Sequence, residues 1–140
     1  MTKNYKILAK FIKDMSSETA DTETFIFVKD NISKYQLNID INSKALKNKM
    51  IEINTIFKFE DKGKNPKKSY FEINFATIVK IDDEVKEKNE LEKVILCDVQ
   101  IEIYPDLEKS LLDLLHNSGY PGIKFEKKVN FEELYNQRLN

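Results

Sequence analysis

The sequence predicts an α+β domain, a four-stranded antiparallel sheet with C-terminal helices packed on one face. Three observations point there. Residues 50–81 alternate apolar and polar side chains with a period of two, broken once by a turn-rich stretch. A leucine stripe of helical spacing lies in the last third, between the pairs Tyr104-Pro105 and Tyr120-Pro121. Strand patterns come first and helix patterns last, a segregation that suits an antiparallel sheet with helices on one side.

In chain order, Tyr5, Ile7, Ala9 and Phe11 mark a first strand. The stretch Thr24 to Tyr35 holds Phe25, Ile26, Phe27 and Val28 without a clean period, and predicts a short buried strand or an apolar crossover loop. Leu37, Ile39 and Ile41 alternate with Asn38, Asp40 and Asn42 in a second strand. Ile51, Ile53, Thr55, Phe57 and Phe59 form one face of a third. After Asp61-Lys62-Gly63-Lys64-Asn65-Pro66, a fourth carries Phe71, Ile73, Phe75, Thr77, Val79 and Ile81, so the two read as a long hairpin. Its odd-numbered face is the one the helices should cover. The other face mixes Ile56, Tyr70, Ala76 and Ile78 with Glu52, Lys58 and Glu72, and is a candidate interface.

Leu107, Leu111, Leu114 and Leu115 fall at i, i+4, i+7 and i+8, which only a helix gathers on one side. Pro105 suits the first turn, where its missing N–H would have been unbonded, and Gly119 suits the left-handed residue that ends a helix. The spacing therefore predicts a helix from about Pro105 to about Ser118. A second helix begins at Asn130, with Glu133 three residues on as in a capping box, and Val129 and Leu134 placed as a hydrophobic staple.

At 140 residues the chain predicts one domain over residues 1–140, able to bury about two thirds of its unfolded surface. Its 23 basic and 24 acidic residues leave a net charge of −1, which gives no global drive toward nucleic acid or an anionic membrane. Cys97 is the single cysteine, and neither a signal-like N-terminus nor a long apolar span is visible, so a cytoplasmic protein without stable membrane insertion is expected. His116 is the single histidine, and the three glycines make no phosphate-cradling loop. No metal site, cofactor or enzymatic activity is therefore expected. Lys62, Lys64, Lys67 and Lys68 crowd the hairpin loop, but nucleic-acid binding needs a wider basic face.

The order of these elements, with the residues in them, resembles the SecB family of bacterial protein-export chaperones. Lys13-Asp14-Met15-Ser16-Ser17-Glu18 looks like that family's Lys-Asp-x-Ser-x-Glu, and Phe27, Lys29 and Asp30 look like its Phe-x-Lys-Asp. Phe71-Glu72-Ile73-Asn74 is similar to its Cys-Glu-Val-Gln. Tyr104-Pro105 and Tyr120-Pro121 resemble its two Phe-Pro pairs, and Val129-Asn130-Phe131-Glu132-Glu133-Leu134-Tyr135 resembles its Val-Asn-Phe-Asp-x-Leu-Phe.

The resemblance implies a holdase that keeps precursor proteins unfolded and passes them to the SecA motor, working as a homotetramer, a dimer of dimers. By position it implies SecA contacts at Asp14, Glu18, Tyr70 and Glu72. It points less sharply to a client groove near the crossover and helices, with Phe25, Phe27 and Tyr104 as candidates. The chain departs from the family at Ala76-Thr77, where members have Gly-Gly, and at Val99-Gln100-Ile101, where they have Cys-Pro-Asn. Glu108 stands where they have arginine, and the sequence lacks their acidic tail. Those departures keep two alternatives open: a SecB-like chaperone for a dedicated client such as an antitoxin, and a non-catalytic adaptor or structural subunit.

Overall fold

The computed structural model describes residues 4–125 and 128–138. Strand β1 (Tyr5–Glu18) leads into helix α1 (Thr22–Asn31) and a 3-10 turn (Ile32–Lys34), then β2 (Gln36–Ala45), β3 (Met50–Glu60) and β4 (Tyr70–Ile81). Helix α2 (Lys88–Lys93) runs through a π-helical segment (Val94–Asp98) into α3 (Val99–Asn117), and α4 (Phe131–Arg138) follows. The strands form one antiparallel sheet in the order β1-β4-β3-β2.

The expected alternation of the hairpin holds. Ile53, Phe57, Phe59, Phe71, Ile73, Val79 and Ile81 are buried under the helices, which contribute Val94, Val99, Ile103, Leu107, Leu111 and Leu115 to one core. Thr55 is buried among them, and its hydroxyl donates to Gln100 Oε1 at 2.9 Å. Gln100 Nε2 in turn donates to the Ile95 carbonyl at 3.1 Å, so the buried amide finds partners on both sides.

Three elements differ from the sequence reading. The long helix starts upstream of Pro105, which lies in its interior, because the π segment carries the apolar face backward with a different phase. Val99 N–H bonds the Val94 carbonyl five residues back, and both residues are fully buried. In an unbroken α-helix five residues turn by about 500°, which would aim one of the two away from the sheet. Residues 24–35 form neither a strand nor a loop but α1 and the 3-10 turn. Asp21 caps the helix by accepting from Thr24 N–H at 2.8 Å, and only Thr24 and Val28 are fully buried, too narrow a stripe to show as a period. The first strand continues to Glu18, with register shifts between Ile7 and Ala9 and between Ile12 and Asp14 that break its alternation.

The predicted ends of the C-terminal helices are present. Gly119 takes φ +110, and Glu133 N–H donates to Asn130 Oδ1 at 3.0 Å. Leu134, however, stays 47% exposed instead of closing a staple. The Gly119 turn is also where α1 docks: a Cβ there would meet Phe25 Cε1 at 2.4 Å, and the Phe25 ring stacks on Tyr120 with centroids 5.3 Å apart. Tyr120 meets Phe71 edge-on, and Tyr35 joins the same cluster while its hydroxyl accepts from Ser69 N–H at 2.9 Å.

Two outcomes test this packing. Gly119→Ala should cost about 2–3 kcal/mol in urea unfolding, from left-handed backbone strain and the displaced Phe25 ring, and roughly 1–2 kcal/mol when Phe25→Ala is already present. A neutral Gly119→Ala would contradict the interlock. Burial raises the phenols of Tyr35, Tyr104 and Tyr120, and burial with the nearby Glu102 and Asp98 carboxylates pushes Tyr5 up to about 12. Their folded values lie above the unfolded value of about 10, so their contribution is complete below that pH and is lost as pH rises toward the folded values. Phenolate formation at these four tyrosines and loss of the fold should therefore rise together above pH about 10.

Candidate binding surfaces

Four strands covered on one side leave an outer face and two edges. On the outer face the register sets Asp14 opposite Asn74, Ser16 opposite Glu72 and Glu18 opposite Tyr70. Opposite residues of an antiparallel pair share a face, so Asp14, Glu18, Tyr70 and Glu72 lie together at one end of β1 and β4. Tyr70 is 56% exposed, and Glu72 has the Lys58 ammonium 3.6 Å away. Toward the centre, Lys13 donates to Glu52 at 2.8 Å and Asn54 Nδ2 donates to Glu52 at 2.9 Å and to Asn42 at 3.2 Å. Hydrogen bonds from Lys13 and then Asn54 hold the Glu52 carboxyl below its ordinary value.

The edge strand β1 carries Leu8, Phe11, Ile12 and Met15, all between 43% and 48% exposed. The register shifts turn these side chains to different directions along one strand, so the apolar row follows the edge instead of one face. At the opposite edge, β2 pairs with β3 over ten residues without a shift. Ile39 and Ile41 there face Leu96, Phe131, Leu134 and Tyr135 across a cleft of about 200 Å3, with Asp40 at its lip.

The groove candidates are scattered. Tyr104 is buried, with its ring 5.7 Å from Phe131 and 6.1 Å from Phe57. Phe25 lies at the far end of α3 against Gly119 and Tyr120, and Phe27 is half-buried on α1. No ring contact joins Tyr104 to either phenylalanine among the described residues. The β2–α4 cleft and the β1 row escaped the sequence reading; the Ile39/Ile41 alternation was a visible signal, whereas Leu134 fitted a staple until its exposure was seen.

Beside Tyr104, Glu108 lies in a second cavity with Lys109, Asp113, His116 and Lys128. Burial works to raise the Glu108 carboxyl, and the Lys128 ammonium and Tyr104 hydroxyl together hold it below its usual value. Burial, and then Asp98 and Glu132, push the Cys97 thiol up. The hairpin-loop lysines are partly spoken for: Lys67 pairs with Glu23 at 3.3 Å, and Lys68 donates to the Gly63 carbonyl. Among the described residues no group of three or more His, Cys, Asp or Glu could hold a metal ion, and no helix is long and apolar enough to cross a membrane.

The fold has solved counterparts. The SecB-like chaperone of Mycobacterium tuberculosis, in complex with a ChAD peptide from the HigA1 antitoxin, superposes with a TM-score of 0.63. That likeness covers 89% of this chain and 91% of the other at 12% identity, and so speaks for the fold. A Pelagibacter ubique protein assigned as a protein-export protein SecB is 64% identical over 140 residues, covering 100% of both chains. The protein-export protein SecB of Parvibaculum lavamentivorans is 23% identical over 133 residues, 95% of this chain and 77% of that one. The family model described as preprotein translocase subunit SecB matches residues 1–140, and the chain belongs to the SecB family.

Proposed function

We infer that this protein is a holdase for protein export, which binds unfolded precursors and delivers them to SecA. The observation that carries this reading is the match of the whole chain to the SecB family, in a structure whose open features are contact surfaces. Holding a client needs apolar surface that competes with the client's own collapse, and no bond-making group. The β2–α4 cleft, with Ile39, Ile41, Leu96, Phe131, Leu134 and Tyr135, suits the client better than the dispersed Phe25, Phe27 and Tyr104. Phe25 and Tyr104 are committed to ring packing, and a client would have to break it.

SecA is assigned to the end of the outer face where Asp14, Glu18, Tyr70 and Glu72 meet. An exposed ring among carboxylates offers an aromatic anchor with an acidic rim, a pattern suited to a basic partner surface. Assembly falls to β1. An exposed edge bearing Leu8, Phe11, Ile12 and Met15 is an association hazard unless it is covered, and a second copy covers it with the same residues. The exposed Ile101 on α3 offers a further apolar contact for pairing dimers into a tetramer. The 64% identity to a protein assigned as a protein-export SecB favours this reading over a dedicated antitoxin client. Recovery from cells of one dominant partner and no precursors would reverse that preference.

Two experiments separate the surfaces. Leu134→Asp should weaken suppression of precursor aggregation by about tenfold in the protein concentration required and leave SecA affinity unchanged, whereas Tyr70→Ala with Glu72→Lys should do the opposite. If each variant impairs both activities equally, the division between cleft and outer face is wrong. Phe11→Asp should lower the solution mass measured by light scattering. An unchanged mass would remove β1 from the assembly.

A further inference from the structure

One wall of the β2–α4 cleft is a helix of eight residues, too short to keep its own shape in water. What positions α4 must then lie outside it. Phe131 and Tyr135 are buried, and among the described residues the one hydrogen bond from an α4 side chain runs from the Tyr135 hydroxyl to the Asn89 carbonyl at 3.2 Å. Beyond Tyr120, the segment that leads into α4 is bonded back to α3 at two places. His116 Nε2 bonds the Ile123 carbonyl at 2.8 Å, and the Lys128 ammonium pairs with Glu108 Oε1. Lys128 stands two residues before the Asn130 cap and three before Phe131. Tyr104 and Glu108 lie one turn apart on α3 and project from the same side. Tyr104 receives the Phe131 ring at 5.7 Å while Glu108 receives Lys128, so the entry to α4 is fastened to adjacent turns.

Glu108 is the most enclosed carboxylate of any described ion pair, its side chain 13% exposed. Its Oε2 and the Tyr104 hydroxyl are buried near each other without a hydrogen bond of normal geometry. Among the described residues Lys128 is the one cation bonded to it. Lys109, Asp113 and His116 line the same cavity without bonding it. A carboxylate so enclosed stays ionised only while its counterion is in place. If Lys128 moves off, the charge must take a proton or meet water, and the adjoining cavity of about 480 Å3 lets water in. The pair therefore favours two arrangements, closed or hydrated, over gradual loosening. Building on the holdase reading and deepening it, we propose that Glu108 is a positioning residue for the client cleft: through Lys128 it latches the start of α4 to α3, and so keeps Phe131, Leu134 and Tyr135 facing Ile39 and Ile41. The arginine of the family pattern at this position would repel Lys128, so this way of fixing α4 belongs to chains that carry the acidic residue.

The test compares Glu108→Gln, Lys128→Gln, the double variant and Lys128→Arg. Lys128 is 64% exposed, so its replacement disturbs no packing. By amide hydrogen exchange, residues 134–137 of α4 should lose about tenfold in protection in Glu108→Gln. Lys128→Gln should lose more, because it leaves an enclosed carboxylate alone, and the double variant should match Glu108→Gln. Lys128→Arg should stay within about twofold of the parent. The protein concentration needed to suppress aggregation of an unfolded precursor should rise in the same order, with β3 and β4 amides protected as in the parent. In NMR titration the Glu108 carboxyl, held below its usual value in the parent, should move up in Lys128→Gln, where burial remains and the ammonium is gone. Unchanged α4 exchange in both single variants, or a double variant worse than either, would overturn the latch. Equal loss of protection in β3 and β4 would make Glu108 a general packing residue and overturn it too. A loosened α4 with unchanged aggregation suppression would remove Glu108 from client binding. If the parent protein suppresses no aggregation, the holdase reading itself fails, whatever α4 exchange shows.

Discussion

Four strands roofed by helices on one side leave the outer face and both edges without cover from the described chain, and that shortage of cover governs the rest of the molecule. The roof is nevertheless tight, with Ile53, Phe57, Ile73, Val79, Ile103, Leu107, Leu111 and Leu115 all removed from solvent. Burial of that kind supplies most of the driving force for such a domain. Stability is thus concentrated in one layer, and the remaining surfaces can carry exposed apolar side chains without endangering the fold. A protein that must offer sticky surfaces and remain folded benefits from that separation.

The roof is set on the sheet by a small buried polar device. The π segment adds a residue to a turn of the helix, and its Ile95 carbonyl accepts the Gln100 side chain, whose oxygen accepts the Thr55 hydroxyl from the middle of β3. An unpartnered amide at this depth would cost more than the bonds return, so the pairing admits little sliding of the helix along the sheet. The helix is thereby fixed in register, and with it the positions of Leu96 and of Tyr104, against which Phe131 of α4 packs. The width of the β2–α4 cleft follows from that chain of contacts.

Where the hydrophobic period was simple, the sequence was readable. Strands β3 and β4 keep one period, and their pairing and inner face follow from Ile51 to Ile81 as written, although Asn54 and Ala76 on the outer face are buried as well. The asparagine cap at Asn130 and the left-handed Gly119 were equally legible, because each is a local rule obeyed locally. What escaped were the places where the period changes. Val94 and Val99 share a face only because the backbone is π-helical between them, so by sequence the helical stripe begins after them and Pro105 reads as a start. Phe11 and Asp14 share a face with each other, and Ile12 and Met15 share the opposite one, only because of the register shifts in β1. For the candidate sites the resemblance placed Asp14, Glu18, Tyr70 and Glu72 on what proved a common face. The β2–α4 cleft is assembled from β2, the π segment and α4, distant in sequence, so no single local pattern could announce it.

The two edges of the sheet are unlike, and the difference has a physical consequence. A strand interrupted by register shifts, as β1 is, cannot present a long even row of main-chain donors and acceptors, so its association must depend on side chains. Side-chain surfaces such as Leu8, Phe11, Ile12 and Met15 select a partner of matching shape, and the partner always available in matching shape is another copy. A straight strand presents backbone groups at regular spacing and selects only for an extended chain, whatever its sequence. One sheet can therefore combine a specific edge with an indiscriminate one.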